Sequence, residues 1–239
     1  EARPTLMGAM FGMTSYQAIS RTMQLYGADD SVSAIIMDMA TPGGMVYGCQ
    51  ECAEVIRDVT KKKPVFAVIN PMAASGGYWL ASAATRIVMT KSSDTGSVGV
   101  ISEHVDISQS LASEGVKVTV VRSTNSPFKQ EGNDSEPLTD EAKQNMQARA
   151  DEIYQRFVGD IAKYRGVTAD QVNEHFGKGR LVDAVRAKSA GMIDHIGTMD
   201  STIKSLMENR FRLGGSAVED VWDAPTETER RLERIAEIR

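Results

Sequence analysis

Short apolar runs alternate with amphipathic stretches along this chain. Ser33-Ala34-Ile35-Ile36-Met37-Asp38-Met39 and Pro64-Val65-Phe66-Ala67-Val68-Ile69 are apolar and bounded by turn residues, which predicts two buried strands. Arg86–Met89, Val98–Ile101 and Lys117–Val121 read as further strands. Between them the apolar positions fall at helical spacing. Thr14-Ser15 opens a helix that ends near Gly27-Ala28-Asp29-Asp30; others follow from about Val46 to Thr60, from the Ser75 loop through Ala84, and around Ile107–Ser113. A long helix is expected over Leu138–Arg165 and shorter ones over Thr168–Phe176, Ala184–Ala190 and Ser201–Asn209. Strands and helices in alternation predict an α/β fold with a mostly parallel sheet.

The ends of the chain break this rhythm. Residues 1–13 carry Pro and Gly and are expected to be an irregular segment, residues 14–208 to form the domain, and residues 209–239 a charged tail. Thr226 and Glu229 have capping-box spacing, which tilts Thr226–Arg239 toward a solvated helix. The chain opens on Glu1 rather than Met, an opening that leaves room for a removed upstream segment.

Composition narrows the classes. The chain has 239 residues, 41% hydrophobic and 25% charged, enough for a full core without disulfide staples. A net charge of −5 argues against nucleic acid as a partner. No run of eighteen apolar residues and no signal peptide is present, so a cytoplasmic location is expected. Cys49 and Cys52 are spaced C-x-x-C, but no second Cys or His pair completes a zinc site; they are expected to be small core residues one helical turn apart. No metal or other cofactor is expected, and no G-x-x-x-x-G-K occurs to supply an ATPase.

The chemistry concentrates in Ala73-Ala74-Ser75-Gly76-Gly77-Tyr78-Trp79. A serine there is most simply a helix cap. A cap needs neither glycine that follows, whereas a nucleophile gains a bare backbone and a helix start beside its hydroxyl. About thirty residues upstream, Gly43 and Gly44 follow a strand, as in a tight turn or as one side of an oxyanion hole. In the second reading, main-chain N–H groups at Gly44 and Gly76 receive the developing alkoxide, each such donor being worth about 3–4 kcal/mol of barrier. Candidate bases are few: His104, His175, His195 and Lys129, the last in Ser126-Pro127-Phe128-Lys129-Gln130-Glu131-Gly132. A lysine base has an ordinary value near 10.4, so apolar burial must neutralise it. Ser97, in Thr95-Gly96-Ser97-Val98-Gly99, is a hydroxyl able to orient that amine, or simply a turn residue.

These motifs resemble the signal-peptide-peptidase-type serine proteases. The resemblance runs through Asp38–Gly44, Ala74–Tyr78, Thr95–Gly99 and Gly179-Arg180…Ala187…Gly191-Met192-Ile193-Asp194, covering roughly residues 14–208. It implies the caseinolytic-protease/crotonase spiral of β-β-α units. It also implies a Ser–Lys dyad, with Ser75 as nucleophile, Lys129 as base and Ser97 orienting the lysine. Gly43, Gly44 and Gly76 would form the oxyanion hole, and the backbone at Met45 and Gly99 would pair with an extended substrate. Two departures stand out: Thr41 where Ser is common, and Ser-Pro-Phe-Lys in place of Ser-Gly-x-x-Lys. Asp-Met-Ala-Thr-Pro-Gly-Gly-Met-Val most resembles the phage capsid-assembly branch. That implies a polypeptide substrate, capsid scaffold or portal-associated proteins as partners, a ring- or dome-like homo-oligomer, and action in the host cytoplasm or procapsid. Three alternatives remain: a bacterial signal peptide peptidase, a crotonase-type acyl-CoA enzyme using Asp38, and a non-catalytic capsid scaffold module.

Overall fold

The computed structural model describes residues 13–208. The expectations for residues 1–12 and for the tail from 209 onward, including the Thr226–Arg239 helix, lie outside the described residues.

The sheet is built around one strand. β2 (Val65–Ala74) is apolar over its first half and buried there on both faces, as a strand inside a covered parallel sheet must be. Along one edge it pairs in parallel with β1 (Ile35–Thr41), from Ile35↔Val65 to Thr41↔Ala73, with a bulge after Met39. Its other edge is shared by β3 (Arg86–Met89), against Phe66–Ile69, and β4 (Asp94–Gly96), against Met72–Ala74. β5 (Leu181–Asp183) adds antiparallel to β4, and β6 (His195–Ile196) adds parallel to β3. This is the mostly parallel α/β sheet expected from the pattern.

Two helices cover one part of this sheet. α1 (Tyr16–Ala28) starts where Ser15 accepts a hydrogen bond from the Ala18 amide. α2 (Cys49–Thr60) buries Cys49, Cys52, Ala53, Ile56 and Val59, one stripe at helical spacing. It begins three residues later than the pattern suggests, because Gly48 sits at φ +83° and interrupts the turn. The helices close on each other at Gly27, where a Cβ would lie 3.0 Å from Val59 Cγ2. α3 (Gly76–Ser82) is buried throughout.

α4 (Ser108–Ser113) has no buried residue. α5 (Asp140–Arg165) is signalled at both ends: Thr139 caps it, Asp140 and Glu141 open it, Lys163 and Arg165 close it, and Gly166 ends it at φ +67°. Apart from Ala142, its buried residues begin at Phe157. α6 (Ala169–His175), α7 (Ala184–Ser189) and α8 (Met199–Met207) complete the described chain.

The structure corrects two strand expectations. Val98–Ile101 and Lys117–Val121 are irregular. Their apolar residues meet no sheet edge: Ile101 is 92% and Val121 89% exposed. The fully buried members of the core cluster pass from Val98 to Phe157, with Tyr154 packed against them, so residues 101–153 form an arm outside it. Conversely, β4, β5 and β6 were not anticipated. They are two or three residues long, too short to show a period.

Candidate active site

The candidate site lies beyond the carboxyl ends of β1 and β2, the usual location for a site in a parallel sheet. β2 ends at Ala74 and α3 begins at Gly76, so the whole reversal falls on Ser75. Ser75 adopts φ 51°, ψ −123°, a conformation that costs a non-glycine residue about 1–3 kcal/mol. Neighbours hold it there. Its amide donates to the Gly96 carbonyl at 2.8 Å, and its carbonyl accepts from the Trp79 amide at 3.0 Å. Ser75 occupies the cap position of α3, yet its side chain makes no capping hydrogen bond. The simplest alternative job for this serine is therefore not performed.

The loop after β1 folds over Ser75. The Gly43 amide donates to the Thr41 hydroxyl at 3.1 Å, and Gly43 itself sits at φ +114°. A Cβ on Gly43 would fall 2.8 Å from Ser75 Cβ and 2.9 Å from the Ala74 carbonyl. A Cβ on Gly76 would lie 3.6 Å from the Gly44 nitrogen, so the two glycine segments meet beside the serine. Gly77 has a different reason: its Cβ would strike Thr41 Cγ2 at 2.5 Å.

A narrow cleft opens here, with a volume of about 10 Å³, the space of one water. It brings together Ser75, Gly44, Gly76, Met45 and Gly99. Its remaining walls, to which the sequence reading gave no role, are Val46, Cys49, Trp79, Val100 and Phe157. Trp79 stacks on Phe157 with centroids 4.4 Å apart, and its indole N–H donates to Asp160 Oδ2 at 3.0 Å. Gln50 donates to the same oxygen at 3.1 Å. The spacing of Ser75 to Trp79, one turn of α3, was the available signal for the aromatic wall; Phe157 comes from a distant helix and had none.

Other candidates lie elsewhere. Lys129 is exposed on the arm, where its carbonyl accepts from Arg122 Nε at 2.6 Å, and it does not line the cleft. Ser97 follows β4 at φ 50°, its amide donating to the Arg180 carbonyl at 2.9 Å. His104 is bonded through Nε2 to the Asn133 carbonyl at 2.9 Å. His175 ends α6, and His195 lies in β6 at the far edge of the sheet. Asp38 is exposed in mid-strand opposite Val68, away from the Ser75 end.

Cys49 lines the cleft, and Tyr16 lies behind Gly44 and Gly76. Burial, with Cys49 next in effect, drives the Tyr16 phenol well above its ordinary range, and burial pushes the Cys49 thiol up to about 12. Cys52 is shifted the same way by burial. Both cysteines are free and buried on α2, and thiols held protonated are poor redox nucleophiles. Among the described residues, no helix is long and apolar enough to cross a membrane.

Comparison with known proteins gives the family. Residues 57–211 match peptidase family S49. The chain is 35% identical to the capsid assembly protease C of Escherichia phage lambda over 77% of this chain and 41% of that protein. It is 37% identical to the head-tail preconnector protein GP5 of Enterobacteria phage P21 over 67% of this chain and 32% of that protein. The chain thus spans less than half the length of these relatives. Among solved structures, a variant of the 1510-N membrane-bound stomatin-specific protease shares the fold, with a TM-score of 0.50 and 18% identity over 79% of this chain and 76% of that one.

Proposed function

The chain belongs to peptidase family S49, and we propose that it is a serine endopeptidase with Ser75 as nucleophile and Lys129 as base. The observation that carries this reading is the backbone at Ser75: a serine held at φ 51°, without a capping bond, under a glycine loop too close for any side chain. Strain of this kind gathers where a side chain must be presented rather than packed.

In the proposed reaction, the neutral Lys129 amine takes the Ser75 proton as Oγ attacks a peptide carbonyl. Main-chain N–H groups at Gly44 and Gly76, beside Gly43, receive the oxyanion. The ammonium then returns its proton to the departing amine, and water releases the acyl group from Ser75. Ser97 orients the amine. The substrate enters extended, its main chain against Met45 and Gly99. A small apolar side chain is the fit for the wall of Val46, Trp79, Val100 and Phe157.

Lys129 sits on the exposed arm, so this chemistry requires assembly. The arm exposes Ile101, Val105, Val116, Val118, Val121 and Phe128. A neighbouring copy covering them in a ring or dome would bury the amine. The phage-branch motif at Asp38–Val46 and the names of the two phage relatives support a role in capsid maturation. The proposed substrates are scaffold or portal-associated proteins, cut in the host cytoplasm or the procapsid.

Fluorophosphonate labelling tests the reading, together with digestion of procapsid proteins. The natural chain is expected to label at Ser75 and to cut. Ser75→Ala removes both, and Lys129→Ala lowers both by at least about a hundredfold, the low end of what a general base contributes. Equal cleavage by Ser75→Ala overturns the nucleophile. Full activity in Lys129→Ala with none in His104→Ala replaces the base.

A further inference from the structure

Glycine loops that present main-chain donors have a weakness: with no Cβ they are the most freely moving backbone in a protein. Something must hold them. At this site one side-chain atom touches both. The Tyr16 hydroxyl would lie 3.0 Å from a Cβ on Gly44 and 2.9 Å from a Cβ on Gly76. It fills the space that side chains there would take. Tyr16 is the first residue of α1, buried, and fixed by the Ser15 cap beside it.

A phenol serving only as packing would need no polar tip, and a buried hydroxyl ordinarily has a partner. Here the polar atom beside it is the Cys49 sulfur, since a Cβ on Gly76 would lie within 3.3 Å of both. Cys49 Sγ in turn donates to the Gly76 carbonyl at 3.6 Å. A cysteine on Gly76 from the same side leaves little slack, since a Cβ there would sit 3.3 Å from its sulfur. The result is a chain of contacts from α1 through α2 to the first residue of α3.

We propose that Tyr16 is a positioning residue that holds the Gly44 and Gly76 main chain at the spacing needed for an oxyanion, with Cys49 bracing Gly76 from the same side through its carbonyl. This rests on the reading of Ser75 and its glycine loops given above. Tyr16 touches neither substrate nor the reacting atoms. Its effect falls on the step in which charge develops on oxygen, not on the binding that precedes it.

The test is the reaction of the full chain with a fluorophosphonate, resolved into kinact and KI, beside the thermal midpoint. Tyr16→Phe removes one oxygen and keeps the ring. Its kinact is expected to fall about tenfold to a hundredfold, the scale of a small misplacement, with KI within twofold. Cys49→Ala should lower kinact in the same direction by less. The double variant should match Tyr16→Phe, because both changes break one contact chain. An unchanged kinact in Tyr16→Phe, or a fall shared equally by KI, overturns the proposal. If Tyr16→Phe does not fold, Cys49→Ala decides alone, and an unchanged kinact there overturns it. A natural chain that never labels at Ser75 removes the protease reading and this inference with it. A natural chain that labels, with Tyr16→Phe labelling equally, removes this inference only.

Discussion

Gly43→Ala is expected to damage this site more than a loop glycine usually would. Two independent effects add: φ +114° is strained for any side chain, and the new Cβ would press on Ser75 Cβ at 2.8 Å. The strain alone is about 1–3 kcal/mol. A lowered thermal midpoint together with loss of Ser75 labelling is the expected outcome; a midpoint and labelling rate equal to the natural chain would contradict it. At this scale much was legible. Ser75 with its two glycines stood out because a cap requires neither. A second demand on Gly44 and Gly76 was not legible. The sequence suggests a bare backbone beside the nucleophile; the structure adds that the absent side chains make room for Tyr16. Nothing in the chain order links residue 16 to residues 44 and 76, since that contact exists only after α1 packs on α2.

Helix α5 divides into two halves with different tasks. Beyond Ala142 its first turns are mostly exposed, and from Phe157 onward it enters the core. The inner half carries Phe157 and Asp160, which together hold Trp79 by stacking and by a hydrogen bond. Asp160→Ala is expected to cost about 1–3 kcal/mol, because the Trp79 indole N–H and the Gln50 amide both lose their acceptor. Denaturant unfolding reads the loss, and Trp79 fluorescence should shift as its wall of the cleft loosens; an unchanged midpoint and spectrum would count against this role. The ends of α5 were readable from Thr139 and Gly166, because capping is written in local residue types. Strands were readable where they formed apolar runs, as in β1, β3 and above all β2, whose first half is buried on both faces. The stretch Lys117–Val121 has the same β-branched residues but no edge to join, so its pattern misled.

The described residues form a core with an arm. Residues 101–153 contribute nothing to the buried cluster, yet they carry the proposed base and a row of exposed apolar side chains. Ile101→Asp combined with Val121→Asp is therefore expected to reduce an assembled particle to single chains in light scattering. Surface changes of this kind leave folding stability within about 0.5 kcal/mol, so the core midpoint should hold while Ser75 labelling falls. An unaltered particle size would show that other residues make the interface. This division was not visible in the sequence, where the arm reads as two more strands. Its exposure is a property of the tertiary arrangement, not of any local pattern.

The forked pairing of β2 has a consequence for inactivation. Ser75 hangs from the last residue of a strand bonded along both edges, and its own amide is tied to Gly96 at the end of β4. The nucleophile is thus mounted on the strand with the most partners in the described sheet. Heating should silence the site by detaching the arm or by melting the entire sheet, with no intermediate in which the core survives and the serine alone has lost its pose.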